Sequence, residues 1–226
     1  MRPRAILFDW DNTLADGWAA IEEGLNAAFR AFGMPEWDRA MVLANTRRSL
    51  RDAFPETFGP DWPRARDIFY ATVRARHLEV LSPMPGAEAV LAAARAVCPL
   101  AVVSNKQGPL LRAEVAHLSW QGMFCAVIGA GDAAADKPDP APLRLALAAC
   151  GVSDPAEAWY VGDTALDMQA ARAAGMRAVL VGDAAHDGGI ARAAPDLHFD
   201  SAAALAEHLA ALDISGPLSD LPARSG

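Results

Sequence analysis

The sequence predicts a doubly wound α/β fold in which a helical segment interrupts the chain after the first strand. From residue 83 onward, short apolar β-prone runs alternate with helical patterns of about ten residues, which is typical of βαβ units around a parallel sheet. An apolar run at residues 4–8 precedes acidic and turn-type residues, as a buried parallel strand does. The stretch between these regions has helical spacing throughout and predicts an all-helical insert.

The insert, residues 16–82, is predicted to contain three helices. Apolar side chains at helical spacing indicate a first helix from about Gly17, which ends at Gly33 and Pro35. Residues 41–54 and 64–81 have the same character, and helix-ending residues lie between them: Pro55, Gly59, Pro60 and Pro63.

The rest of the chain continues the alternation. We expect strands at residues 100–103, 125–128, 158–161, 176–181 and 197–199, and helices at residues 87–97, 109–117, 141–150, 165–174 and 202–212. The predicted organisation is an α/β core of residues 1–15 and 83–212, the helical insert, and a flexible C-terminal tail of residues 213–226, which is rich in Pro, Ser and Gly.

Composition excludes several classes of protein. The 226 residues carry 20 basic and 28 acidic side chains, a net charge of -8, which argues against a general nucleic-acid binder and against binding to anionic membranes. No apolar run reaches the roughly 18 residues of a membrane span. The cysteines have neither metal-binding nor disulfide spacing: Cys98, Cys125 and Cys150. We therefore expect a cytoplasmic protein, and the sequence leaves its oligomeric state open.

Polar residues follow the predicted strands at the carboxyl edge of the sheet, where open α/β sheets bind ligands. They are Asp9, Asp11 and Thr13 after the first strand, Ser104, Asn105 and Lys106 after the second, Lys137 before the helix at residue 141, and Asp163 and Asp167 after the fourth. Asp9 and Asp11 are two residues apart and face one site, and Asp163 and Asp167 share a helix face. We expect these clusters to converge.

Several carboxylates without a cation repel one another, so this arrangement predicts a bound metal. The clusters contain no His or Cys, and hard oxygen ligands favour magnesium over zinc. Thr13, Ser104 and Lys137 supply hydroxyl, backbone N–H and ammonium groups suited to an oxyanion. A metal beside an oxyanion site predicts phosphoryl transfer.

These motifs resemble those of the haloacid dehalogenase-like hydrolase superfamily, and within it the phosphoglycolate phosphatase-like branch. The resemblance rests on Asp9-x-Asp11-x-Thr13, on Ser104 at the end of a strand, on Lys137 before Pro138 and on Gly162-Asp163-x-x-x-Asp167, in order across nearly the whole chain. It implies a Rossmann-like core, a helical cap formed by the insert, and a Mg²⁺-dependent phosphatase. The implied substrate is a small phosphorylated metabolite such as phosphoglycolate or a sugar phosphate.

The resemblance also implies a role for each motif residue. Asp9 is expected to attack phosphorus and form an aspartyl-phosphate, while Asp11 protonates the leaving group and then deprotonates the water. Mg²⁺ is expected to bind Asp9, the backbone carbonyl of Asp11 and Asp163, with Asp167 beside it as a ligand through water or as a support. The phosphoryl oxygens are expected to contact Thr13, Ser104, Asn105 and Lys137, and Lys137 also shields Asp9 from its neighbours.

Trp10 and Asn12 depart from the family pattern. Trp10 stands where a smaller apolar residue is usual, which bears on access to the cap, and Asn12 stands where Gly is commonest. Asn tolerates positive φ best among non-glycine residues, so we expect the turn to form. In the insert, Arg47, Arg48 and Arg51 lie on one predicted helix, where a solvated basic face accounts for them more simply than a substrate anion.

Two other functions are compatible with the fold. A sugar-phosphate mutase of the same superfamily also needs Asp11, but the family's mutases use a cap lysine and the insert contains none. A non-catalytic binding protein on this fold is expected to lack Asp9, Asp11 or Asp163, and all three are present.

Overall fold

The computed structural model describes residues 2–46 and 48–214 of the chain. Within them the strands are, in chain order, β1 (Ala5–Phe8), β2 (Ala15–Asp16), β3 (Ser82–Pro83), β4 (Leu100–Gln107), β5 (Ala126–Ala130), β6 (Ala158–Gly162), β7 (Arg177–Val181) and β8 (Leu197–Phe199). One six-stranded sheet has the order β5, β4, β1, β6, β7, β8, and each of its pairings is parallel.

Helices lie on both faces of this sheet and in the insert. They are α1 (Trp18–Ala31), α2 (Arg39–Asn45), α3 (Leu50–Phe58), α4 (Trp62–Val80), α5 (Ala87–Val97), α6 (Gly108–His117), α7 (Ala141–Ala149), α8 (Ala165–Ala174), α9 (Gly189–Ala193) and α10 (Ala202–Ile214). α5, α6 and α10 cover one face, whereas α7 and α8 cover the other. The predicted doubly wound, Rossmann-like arrangement is confirmed. In the described part of the chain, no helix has the length and apolar character that crossing a bilayer requires.

The first strand shows how the sequence builds two cores. Because successive side chains of a strand point to opposite faces, Ile6 and Phe8 pack on the α5 side, whereas Ala5 and Leu7 pack on the α7 side. A strand that is apolar at every position therefore lies at the centre of the sheet. Its carboxyl end delivers Asp9 to the edge of the sheet.

The insert consists of α1 to α4, and its apolar side chains form a cluster that Leu110 of α6 joins. α1 and α4 approach closely at Gly24, where an added Cβ would lie 2.7 Å from Cγ2 of Val73. Two short antiparallel strands close the insert at its base and pair Ala15–Asp16 with Ser82–Pro83. The sequence does not predict these strands, because two residues carry no periodicity.

The predicted helix at residues 41–54 is wrong, because two helices, α2 and α3, occupy this region. Thr46 leaves helical geometry with a ψ of 74°, and Ser49 begins α3 as its N-cap, a position that favours Ser. Arg48 therefore lies between two helices and Arg51 lies in α3. Arg47 lies outside the described residues.

The ends of β4 and α10 also differ from the prediction. β4 continues past Val103 to Gln107 with an irregular register against β5, so Ser104 and Asn105 lie within the strand rather than beyond it. α10 extends to Ile214, into the predicted tail, and residues 215–226 lie outside the described residues.

Candidate active site

Three aspartates meet at the carboxyl edge of the sheet. Asp9 follows β1, and its backbone N–H donates to the Val161 carbonyl at 2.8 Å, which continues the parallel ladder into the site. Asp163 follows β6, and Asp167 lies in the first turn of α8. One carboxylate oxygen of each aspartate lies within 4.8 Å of the other two, and all three residues are buried. The motifs after the first and fourth predicted strands therefore converge.

Lys137 brings an ammonium group into this cluster. Its Nζ donates to Asp9 Oδ1, to Asp167 Oδ1 and to the Tyr160 hydroxyl, each at 2.7 Å, and the residue is 3% exposed. The Tyr160 hydroxyl donates in turn to the Val103 carbonyl at 2.8 Å. The three N–H groups of the ammonium each have a partner, so the position of the charge is fixed.

Burial and neighbouring charges control the protonation of Asp9. Loss of solvation raises the pKa of Asp9 to about 8; Lys137 opposes this rise, whereas Asp167 and Asp163 add to it. Burial by itself lowers the pKa of Lys137, but Asp167 and Asp9 outweigh burial and raise it. Lys137 therefore stays protonated, but its single positive charge does not balance the three buried aspartates. Such a group of acidic side chains favours the binding of a cation.

The turn after β1 orients Asp163. Asn12 has a φ of 63°, in the left-handed region that Asn tolerates. Its side-chain N–H donates to Asp163 Oδ2 at 2.6 Å, and the Thr13 hydroxyl donates to Asp163 Oδ1 at 3.1 Å. Nε2 of His186 lies 3.3 Å from Asp163 Oδ2. Asn12 therefore both forms the turn and holds Asp163, whereas sequence reasoning gives no role to His186.

Asp167 has partners on both carboxylate oxygens. Oδ1 accepts from Lys137, and Oδ2 accepts from the backbone N–H of Thr164 at 3.1 Å and from its hydroxyl. The Asp167 N–H donates back to the Thr164 hydroxyl at 3.2 Å, which completes a capping box at the start of α8. These contacts suit a supporting residue, and the role of Asp167 as a support or as a metal ligand through water stays a prediction.

Ser104 and Asn105 lie on the neighbouring strand β4. Ser104 is buried, and its hydroxyl accepts from the Lys106 N–H at 3.2 Å. The Asn105 amide bonds the Lys137 backbone in both directions: Oδ1 accepts from the N–H at 2.9 Å, and Nδ2 donates to the carbonyl at 3.0 Å. Asn105 therefore positions the loop that carries Lys137. Contact of Ser104 or Asn105 with a phosphoryl oxygen stays a prediction.

Asp11 contacts a second set of buried charges, of which sequence reasoning places Lys106 at the edge of the sheet and misses Glu114. Its Oδ1 accepts from Lys106 Nζ at 2.7 Å, and the same Nζ donates to Glu114 Oε2 at 2.6 Å. Burial raises the pKa of Asp11, an effect that Lys106 opposes, and a raised pKa suits a proton donor. One residue in the sequence could have indicated these buried charges. Glu114 lies on the apolar face of a predicted helix, and a carboxylate in that position indicates a buried partner.

A cavity of about 110 Å³ lies between the insert and the edge of the sheet. On its sheet side lie Asp9, Asp11, Ser104, Lys137 and Asp163, and its insert side includes Trp18, Ile21, Phe69 and Tyr70. Arg48 also lines the cavity, but its guanidinium donates to Glu56 at 2.9 Å. Arg51 instead forms an ion pair at 3.0 Å with Asp136 of the core.

Trp10 lies in the core rather than at the entrance to this cavity. It is fully buried, its ring packs edge-on against Trp120 with centroids 5.8 Å apart, and its Nε1 donates to Glu114 at 2.6 Å. The expectation that Trp10 bears on access to the cap is therefore wrong. Strand alternation explains the difference, because Trp10 shares the face of Phe8 while Asp9 points to the other side.

The three clustered aspartates fit a magnesium ion in their ligand chemistry. They offer three carboxylate oxygens, and no histidine or cysteine belongs to the group in the described residues. Sets of oxygen ligands suit magnesium, whereas zinc sites are built mainly from nitrogen and sulfur ligands.

The fold and the site together define a hydrolase of the phosphatase class. Residues 6–192 match the family described as haloacid dehalogenase-like hydrolase, and the chain belongs to that family. A phosphoglycolate phosphatase of Xylella fastidiosa (strain 9a5c) is 36% identical over 180 residues, which cover 77% of this chain and 78% of the relative. A phosphoglycolate phosphatase of Xanthomonas campestris pv. campestris (strain 8004) is 33% identical over 183 residues, which cover 78% and 82%.

Solved structures share the fold. One is described as a predicted phosphoglycolate phosphatase from Haemophilus somnus 129PT; it has a TM-score of 0.80 and 21% identity, over 92% of this chain and 98% of that one. CbbY from Rhodobacter sphaeroides, in complex with phosphate, has a TM-score of 0.75 and 26% identity, over 90% and 96%. The family match and the curated relatives confirm the resemblance drawn from the motifs.

Proposed function

We propose that this phosphatase depends on magnesium and hydrolyses a small phosphomonoester, of the phosphoglycolate or sugar phosphate class, through an aspartyl-phosphate on Asp9. The observation that carries the proposal is the buried group of Asp9, Asp163 and Asp167 with Lys137 bridging two of its members. A metal ion and an ammonium group beside one carboxylate reduce the repulsion between that carboxylate and an anionic phosphate.

Asp9 and Asp11 perform the covalent and proton-transfer steps in this proposal. An oxygen of Asp9 forms a bond to phosphorus while the bond from phosphorus to the ester oxygen breaks, and Asp11 gives a proton to that departing oxygen. Asp11 then takes a proton from a water whose oxygen bonds phosphorus. The bond from phosphorus to Asp9 breaks, and inorganic phosphate and the free Asp9 carboxylate result.

Asp9, Asp163 and the backbone carbonyl of Asp11 would hold Mg²⁺, with Asp167 beside them as a support or as a ligand through water. When bound, the ion withdraws charge from the phosphoryl oxygens. The phosphoryl oxygens would contact four residues: Thr13, Ser104, Asn105 and Lys137.

The size of the cavity between the insert and the sheet supports a small ester as substrate. Its volume is about 110 Å³, which favours a small ester over a macromolecular substrate. The named phosphoglycolate phosphatases support the same class. In this proposal residues 16–82 act as a cap over a catalytic core of residues 1–15 and 83–212, and the partner is a small phosphorylated metabolite.

Phosphate release from p-nitrophenyl phosphate and from a panel of small phosphomonoesters, with Mg²⁺ and with a chelator, tests the proposal. We expect release that requires Mg²⁺ and that falls by at least about a thousandfold in Asp9→Asn, which lacks the nucleophile. Asp200→Asn is the matched control, because that side chain is 95% exposed. Release retained by Asp9→Asn would overturn the role of Asp9, and a wild type that releases no phosphate would overturn the proposed function.

A further inference from the structure

A chain of buried polar contacts extends from Asp11 to the insert. Lys106 Nζ lies 2.7 Å from Asp11 Oδ1 and 2.6 Å from Glu114 Oε2. Oε1 of Glu114 lies 2.9 Å from Nδ1 of His77, which belongs to α4 of the insert. The side chains of Lys106, Glu114 and His77 are 6%, 1% and 6% exposed, so water does not compete for these contacts.

Glu114 is the centre of these contacts. Its Oε2 also accepts from Nε1 of Trp10 at 2.6 Å, and Trp10 precedes Asp11 in the chain. One carboxylate on α6 therefore contacts the loop after β1, the end of β4 and the insert at once. We call Trp10, Asp11, His77, Lys106 and Glu114 the Glu114 cluster.

Stability alone does not account for the Glu114 cluster. Burying an ammonium group and carboxylates has a desolvation cost that their attraction often fails to offset, and apolar side chains of similar volume usually serve as well. Lys106 is also one of only two lysines in a chain with 18 arginines. Its ammonium contacts Asp11 on one side and Glu114 on the other, which restricts where the Asp11 carboxyl group can lie.

We propose that Lys106 and Glu114 are positioning residues that hold the Asp11 carboxyl group for proton transfer, and that the His77–Glu114 contact makes the position of this carboxyl group depend on the position of the insert. The inference rests on the proposed function, in which Asp11 gives a proton to the departing ester oxygen. Lys106 fixes one carboxylate oxygen of Asp11 by a charge-assisted hydrogen bond and leaves the second oxygen for the proton. Glu114 fixes Lys106 in turn.

Leaving groups of different basicity separate positioning from structural support. An alkyl phosphate expels a strongly basic alkoxide, which needs a proton from Asp11, whereas p-nitrophenyl phosphate expels a stabilised phenolate, which departs without one. The ratio kcat/KM includes steps only up to the first irreversible phosphoryl transfer, so it excludes hydrolysis of the intermediate.

The experiment compares kcat/KM for the best alkyl ester of the panel and for p-nitrophenyl phosphate, with Mg²⁺ present. We expect Glu114→Gln and Lys106→Met to lower kcat/KM by at least about tenfold for the alkyl ester and by less than about threefold for p-nitrophenyl phosphate. Asp11→Asn, which removes the proton donor itself, is expected to show the largest loss for the alkyl ester. His77→Phe is expected to lie between the wild type and Glu114→Gln. Glu88→Gln, at an exposed glutamate of α5, is the matched control and leaves both values unchanged.

A double variant guards against misfolding. Lys106→Met leaves two carboxylates without their cation, whereas Lys106→Met with Glu114→Gln removes one charge of each sign and is expected to show the same selective loss. Equal losses on the two esters, or no loss on either, would overturn the inference. Both outcomes leave the proposed function intact, because that function is tested separately, by phosphate release from the wild type with and without Mg²⁺ and by Asp9→Asn.

Discussion

Lys137 Nζ lies 2.7 Å from Oδ1 of Asp9, and both residues are buried. The same Nζ reaches Oδ1 of Asp167 at 2.7 Å, so one ammonium group joins the end of β1 to the first turn of α8. The charge balance and the geometry of the aspartate cluster therefore depend on one side chain.

Lys137→Met is expected to lower the free energy of unfolding by about 3–5 kcal/mol, because it leaves the buried Asp167 carboxylate without its counter-charge. Denaturant unfolding at neutral pH with the metal chelated measures the change. Tyr160→Phe is the matched control: it removes one hydroxyl from the same ammonium group and is expected to cost about 1 kcal/mol. A Lys137→Met variant as stable as Tyr160→Phe would show that the ion bridge does not support the fold.

Magnesium affinity is expected to rise with pH. Because burial raises the pKa of Asp9 to about 8, its carboxyl group carries a proton at neutral pH in the metal-free protein, and this proton must leave before the carboxylate binds a metal. The Kd for Mg²⁺ is therefore expected to fall by about tenfold per pH unit below pH 8 and to level off above it. Calorimetric titrations across this range measure the slope.

Asp9→Asn is the control for this profile, since it removes the titrating group and is expected to flatten the pH dependence of the Kd for Mg²⁺.

The raised pKa of Asp9 also affects the stability of the metal-free protein. A carboxyl group whose pKa is higher in the folded state stabilises the metal-free fold at low pH, and this contribution is lost as the pH rises from about 4 through the folded value of about 8. A wild-type Kd for Mg²⁺ that does not change with pH would contradict the raised pKa of Asp9.

Gly162→Ala is expected to displace Asp167. An added Cβ would lie 2.5 Å from both Cβ and Cγ of Asp167, which is held in place by Lys137 and Thr164. We expect the free energy of unfolding to fall by about 1–3 kcal/mol and Mg²⁺ binding to weaken. Denaturant unfolding and metal titration measure the two effects.

Gly122→Ala is the matched control for that substitution. A Cβ at Gly122 meets nothing within 4 Å, so the change in stability is expected to stay below about 0.5 kcal/mol. Equal effects of the two substitutions would mean that close packing of Gly162 against Asp167 does not constrain the site.

Much of the fold follows from periodicity and from the residues that end each element. α8 has its predicted limits because Thr164 caps its start and Gly175 ends it, and β8 also has its predicted limits. Parallel strands present their carboxyl ends to one edge of the sheet, so the order of polar clusters in the chain sufficed to group Asp9, Lys137 and Asp163.

Contacts between distant segments do not follow from periodicity. Glu114 and His77 are 37 residues apart and meet only because α4 packs against α6. Helical spacing indicates that Glu114 faces inward and does not say which residue it meets there. The same limit explains residues 41–54, where apolar spacing continues across Thr46 and Ser49 and so joins two helices that capping separates.

The paired strands β2 and β3 bring the two ends of the insert together at one point of the core. Because Ala15–Asp16 and Ser82–Pro83 run side by side, the core spans the same short gap whatever sequence lies between them. The entropy of closing a loop grows slowly with its length, so this junction is expected to tolerate inserts of different size. Exchange of the insert would replace the insert side of the cavity, while the aspartates and Lys137 would stay in place. The new insert would need a residue equivalent to His77 to contact Glu114.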